Sequence, residues 1–114
     1  MRYLVSGSLN FSDMELAEEA LEDLTQEDTV LITGNAGAED LAARVSFKVG
    51  SKLETLAPDN HLRGTDARNY ALRNLAAKAD IFIILYTKDN SNIEELREIG
   101  TENSLAIREY QQRK

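Results

Sequence analysis

The sequence predicts an α/β fold, a small three-layer sandwich in which helices cover both faces of a parallel sheet. Short apolar runs alternate with stretches of helical periodicity along the 114 residues, the mark of βαβ units. Three of the four candidate strands are apolar nearly throughout, as strands buried on both faces must be. No linker, repeat or composition break divides the chain, so residues 1–114 read as a single domain.

The first strand is Arg2–Ser6. The helix after it has a well-marked start: Ser12 and Glu15 have capping-box spacing, and Phe11 is placed to staple onto Leu16. Met14, Ala17, Leu21 and Leu24 then repeat on one face. Thr29–Thr33 is the second strand. The second helix runs from about Gly37 to Val49, its inner stripe being Ala38, Leu41, Ala42, Val45 and Val49. Lys52–Ala57 alternates polar with apolar and reads as an edge strand. The third helix, about Asp66 to Ala79, carries Leu72, Leu75 and Ala79 on one face, and Ile81–Tyr86 is the fourth strand. From Ser91 to the C-terminus the pattern is helical with Gly100 interrupting it, as one kinked helix or as two.

Four parallel strands joined by right-handed crossovers most simply give the order 3-2-1-4. Ligands of such sheets sit beyond the carboxyl ends of the strands, where the order reverses, here between the first and fourth strands.

Composition narrows the function classes. Thirteen Lys+Arg against twenty Asp+Glu give a formal charge of −7 and a pI near 4.7. That field repels a phosphate backbone, and no basic run offsets it, so no nucleic-acid partner is expected. The absence of cysteine excludes a disulfide scaffold, a thiolate zinc site and a cysteine nucleophile. With His61 as the one histidine, no metal site and no Ser-His-Asp triad is expected from this chain, and His61 decorates the Asp59–Asp66 loop. The apolar runs are too short for a signal peptide or a membrane span, so no membrane partner and a cytoplasmic location are expected.

The residues just after the strands are the candidates. Gly7-Ser8-Leu9-Asn10 follows the first strand, and Gly34-Asn35-Ala36-Gly37 follows the second and leads into a helix. Glycine there allows close approach of the backbone to a ligand, and the N–H groups of a helix start favour an anion. Ordinary turn geometry explains such glycines equally well. Arg68, followed by Asn69, shares the stripe of Leu72, Leu75 and Ala79, which turns it toward the carboxyl edge. Arginine there suits phosphate or carboxylate recognition, and a salt bridge to a neighbouring carboxylate is the plainer alternative. Tyr70 and Tyr86 lie near enough to stack on a base, although core packing accounts for them as well. Phe47 stands about 180° from the inner stripe of its helix, which suggests contact with another protomer and a homo-oligomer.

Taken together, the opening strand with Gly7-Ser8, the segment Val30-Leu31-Ile32-Thr33-Gly34-Asn35-Ala36-Gly37-Ala38-Glu39-Asp40-Leu41-Ala42, the Arg68-Asn69 pair, Ala79-Asp80 and Gly100-Thr101 resemble the SLOG superfamily. Within that group of SMF/DprA and LOG relatives, the chain is most similar to the small stand-alone YspA-like branch. The resemblance implies a Rossmann-like domain that binds a nucleotide or nucleotide-derived ligand, with Gly100 and Thr101 joining the loop residues in the site. The chain departs from the family pattern at Leu9, where Arg is frequent, and at Thr33, Ala36 and Glu39, where Gly, Arg and Asp are usual. It also reads as stopping before the family's last strand.

Glu98-Ile99-Gly100 resembles the E-[IL]-G segment of nucleoside 2-deoxyribosyltransferases, whose glutamate attacks the anomeric carbon; Glu98 would be that nucleophile here. Its neighbours Glu94, Glu95 and Glu102 also fit a plain charged helix face. The expectation is thus a sensor or sequestering protein for a small anionic nucleotide-like molecule, with no cofactor required. The alternatives are an N-glycosidase or deoxyribosyltransferase using Glu98, and an interaction module with a vestigial pocket.

Overall fold

The computed structural model describes residues 1–58, 67–89 and 93–113. Its strands are β1 (Arg2–Gly7), β2 (Thr29–Ile32), β3 (Lys52–Thr55), β4 (Ile81–Tyr86) and β5 (Ala106–Gln111). The helices are α1 (Met14–Ala20), α2 (Ala38–Val49), α3 (Ala67–Ala76) and α4 (Ile93–Glu102). All neighbouring strands pair in parallel, in the order β3-β2-β1-β4-β5. The fold is the Rossmann-like α/β sandwich that the sequence predicts, with one strand more.

The fifth strand corrects the reading of the C-terminal stretch as helical throughout. Only α4 is helical there, and the chain turns at Asn103–Ser104, where Ser104 adopts φ 54°. It then returns as β5 beside β4, from Ile81↔Ala106 to Tyr86↔Gln111. β5 escapes the sequence pattern because it is an edge: Arg108, Glu109 and Gln111 interrupt its apolar residues. Gly100 does not break the helix. It lets α4 press onto the sheet, since a Cβ there would come within 2.7 Å of the Ile107 side chain.

The period-two alternation of the strands divides the core into two layers. Tyr3, Val5, Val30, Ile32, Ile81, Ile83 and Leu85 pack against α1 and α2. Leu4, Leu31, Phe82 and Ile84 pack against α3 and α4 through Leu72, Leu75, Leu96 and Ile99. Two helices on each face are what right-handed crossovers require when the chain starts in the middle of its sheet.

The start of α1 shifts by one residue from the expected capping box. Asp13, not Ser12, caps the helix, accepting from the Leu16 N–H at 3.1 Å, while the Ser12 N–H donates to Gln112 Oε1 at 2.7 Å. Phe11 and Leu16 are buried in the same cluster, as a staple would have them. Among the described residues no helix is long and apolar enough to cross a membrane. His61, Asp66 and Ser91 lie outside the described residues.

Candidate functional site at the carboxyl edge

The loop after β2 turns back into α2 around Glu39, in the first helical turn. Its side chain is fully buried at 0% exposure and is met by donors from three elements. Oε1 accepts from the Thr33 N–H (2.6 Å), the Thr33 hydroxyl (2.7 Å) and the Asn35 N–H (3.3 Å). Oε2 accepts from the Ser6 hydroxyl at 2.9 Å and from Arg68 Nη2 at 3.2 Å. A buried carboxylate is tolerated only when paired and hydrogen-bonded in this way.

Arg68 comes from the opposite layer. It leaves the first turn of α3 and reaches over the end of β1, where Nη2 also donates to Ser6 Oγ (2.8 Å) and to the Gly7 carbonyl (3.2 Å). Its side chain keeps 22% exposure. Its Nε is buried without a partner, and Nη1 makes no hydrogen bond among the described residues. The inward stripe read from the sequence therefore places Arg68 where expected, and the plainer salt bridge is present too.

Gly37 fixes how this loop meets the first one. It has φ 72°, and a Cβ on it would lie 2.3 Å from the Ser8 carbonyl oxygen. The Ala38 N–H donates to that same oxygen at 3.1 Å, and the Ala36 N–H to Asn35 Oδ1 at 3.1 Å. Several donors of this loop and helix start thus serve the protein itself. Gly34 and Ala36 are exposed.

The second meeting point lies between β1 and β4, where the crossovers reverse. Gly7 passes so close to β4 that a Cβ would overlap the Leu85 carbonyl, and the Ser8 N–H donates to that carbonyl at 3.0 Å. Ser8 Oγ accepts from the Thr87 N–H at 2.8 Å. The Thr87 hydroxyl lies 2.9 Å from Asp89 Oδ1, 3.1 Å from Asn10 Oδ1 and 3.3 Å from Ser8 Oγ. A hydroxyl has one proton, so it serves one of these oxygens at a time and leaves acceptor capacity at the mouth. Ser8 and Thr87 are buried, whereas Asn10 and Asp89 are exposed.

Comparison with protein-family models, with curated proteins and with solved structures finds no significant match.

Gly7, Ser8, Asn10, Gly34, Asn35, Ala36, Gly37 and Arg68 all gather at the carboxyl edge, in the loops after β1 and β2 and at the start of α3. Asn69 stands beside them and bonds Glu95 Oε2 of α4 at 3.0 Å. Gly100 and Thr101 do not join this group. α4 descends from the carboxyl edge, and they occupy its far end, just before the chain enters β5 at the amino edge. Glu98 is exposed on α4, about 7–8 Å along the helix from its first residue. It makes no hydrogen bond or ion pair among the described residues, unlike Glu94 and Glu102, which pair with Arg97 and Arg73. Tyr86 packs against the α3/α4 layer, and Tyr70 is half exposed.

Glu39, Thr87 and Asp89 are the site residues that sequence reasoning missed. Glu39 had a signal: a carboxylate in the first turn of a helix, just after a loop rich in backbone N–H groups. Thr87 and Asp89 had a weaker one, their position directly after β4. Two open concavities of about 440 and 460 Å³ lie beyond this cluster, against the start of α1 and the end of β5, and both are lined by Gln112 and Arg113.

Proposed function

We propose that the carboxyl edge binds a nucleotide or nucleotide-derived small molecule, and that the protein is a cytoplasmic sensor or sequestering protein for it. The observation that carries this reading is the pose of Arg68. Among the described residues, Ser6 Oγ, the Gly7 carbonyl and Glu39 Oε2 all hold the guanidinium through Nη2, and Nη1 is the donor assigned to a ligand. A planar donor fixed in advance loses little entropy on meeting a phosphate, which favours recognition on a chain of net charge −7.

The neighbouring groups suit the rest of such a molecule. Asn10 and Asp89 offer oxygen acceptors to sugar hydroxyls or base amino groups, and the exposed Gly34 loop allows close approach from the other side. Binding is favoured over turnover because, among the described residues, no hydrogen bond or ion pair orients Glu98, which lies on α4 and not in the Arg68 cluster. The self-association expected from Phe47 belongs to the same proposal, that side chain being 89% exposed on α2.

The test is native mass spectrometry of the purified protein, followed by calorimetry against nucleoside mono- and diphosphates and cyclic dinucleotides. A bound or tightly binding nucleotide is expected, without release of free base. Failure to bind any member of that panel would overturn the reading.

A further inference from the structure

The two edges of the sheet are not alike. β5 is guarded by charge: Arg97 forks onto Glu109, Arg108 faces Asp23, and Arg113 faces Glu19. β3 presents Leu53 at 46% exposure, with Thr55 and Leu56 also exposed. Among the described residues no backbone hydrogen bond engages its outer side.

The backbone of β3 specifies which groups point outward. The N–H groups of Lys52 and Leu56 donate inward to β2, to the carbonyls of Asp28 (3.0 Å) and Ile32 (2.9 Å). By alternation, Leu53 and Thr55 direct their N–H and C=O groups outward. We propose that a second copy of this chain docks here, its β3 antiparallel to the first, with Leu53 opposite Leu53 at the two-fold axis. This deepens the self-association proposed from Phe47.

Charge selects that register. With Leu53 on the axis, Lys52 of each copy lies opposite Glu54 of the other, so both cross-strand pairs are of opposite sign. The next register that keeps the same outward groups sets Glu54 against Glu54 and loses both pairs. Lys52 and Glu54 share the α3 face, since Glu54 is in register with Leu31 and also pairs with Lys78. Leu53 is in register with Val30 and so lies on the α2 face. There Ser46 bonds Ser51 and Lys52, which turns that flank of α2 toward β3. Phe47 follows one residue, about 100°, further round. A two-fold axis through β3 sets the two α2 helices side by side on one face, with the Phe47 side chains toward the seam. An isologous contact of this kind closes on itself as a dimer.

The chain has no cysteine, so single cysteines report the register cleanly. Directly opposed residues in an antiparallel pair lie within disulfide reach. Leu53→Cys should form a disulfide-linked dimer under mild oxidation, and Thr55→Cys, which faces Ser51 of the other copy, should not. Light scattering should show a dimer at tens of micromolar. K52E and E54K should each weaken it at least tenfold, because each then opposes like charges, and an equimolar mixture of the two should recover a heterodimer. A monomer throughout would overturn both this interface and the self-association read from Phe47. A wild-type dimer whose Leu53→Cys variant fails to cross-link, and whose charge variants fail to recover on mixing, would overturn the β3 interface alone. Capture of an unrelated strand on a monomeric protein would equally overturn the second-copy assignment.

Discussion

At the β1–β2 corner of the carboxyl edge, the polar groups are spent on one another; at the β1–β4 corner, they are left partly unspent. Glu39 takes five hydrogen bonds from Ser6, Thr33, Asn35 and Arg68 and has no exposure. The Thr87 hydroxyl divides one proton among three oxygens, two of them on exposed residues. The glycine-rich loop that draws the eye in the sequence is thus the anchored corner, and the inconspicuous Thr87-Lys88-Asp89 lies at the open one. Arg68 links them, since it is held by Glu39 and leans over Gly7.

The largest difference between the corners should appear in stability. Glu39→Ala leaves Arg68, Thr33 and Asn35 without their common acceptor, and breaking such a buried pair costs about 3–5 kcal/mol. Asp89→Ala, at an exposed position, should fall within about 0.5 kcal/mol of wild type. Urea denaturation of the two variants measures both. Equal losses would mean that the corners do not differ in the way described.

A somewhat smaller loss is expected from Gly37→Ala. Forcing a side chain into that backbone conformation costs about 1–3 kcal/mol, before the contact with the Ser8 carbonyl is relieved. Thermal unfolding would show it, and a neutral result would detach the two loops from each other. At the open corner, Thr87→Val keeps the shape but removes the hydroxyl, for which about 1 kcal/mol is expected. Its main effect should be on ligand affinity.

The smallest effect belongs to the distant β5 edge. The Arg97 guanidinium hydrogen-bonded to Glu109 holds that carboxyl below its ordinary range. A depressed carboxyl contributes stability above its unfolded pKa, about 4.3, and loses that contribution as pH falls through the lower folded value. NMR titration should therefore find Glu109 titrating below an ordinary glutamate, and Arg97→Gln should return it toward that range. An unshifted Glu109 in the wild type would contradict the ion pair.

The central fold was legible because β1, β2 and β4 are apolar almost throughout, and the helices between them carry clear stripes. β5 was not, because an edge strand with Arg108 and Glu109 has no apolar run to announce it. At the site, Arg68 was legible from its helical phase relative to Leu72 and Leu75. Its partner was not: Glu39 belongs to another layer, and only the crossover geometry brings the two together. Gly100 shows the opposite case, a residue singled out by motif that lies at the far end of α4, where the lack of a Cβ lets Ile107 approach.

The central claim is that Arg68 is a ligand-binding donor held ready by Glu39, and calorimetry on Arg68→Lys tests it most directly. Lysine keeps a positive charge beside the buried Glu39, so folding can be checked separately, but it lacks the planar fork. Removing a charge-assisted hydrogen bond, as in Arg68→Ala, costs about 1.5–3 kcal/mol, a roughly ten- to a hundredfold loss of affinity for the nucleotide identified by mass spectrometry, and Arg68→Lys should recover only part of it. Unchanged affinity in a folded Arg68→Lys variant would show that the guanidinium serves only to neutralise Glu39, and that the ligand lies elsewhere.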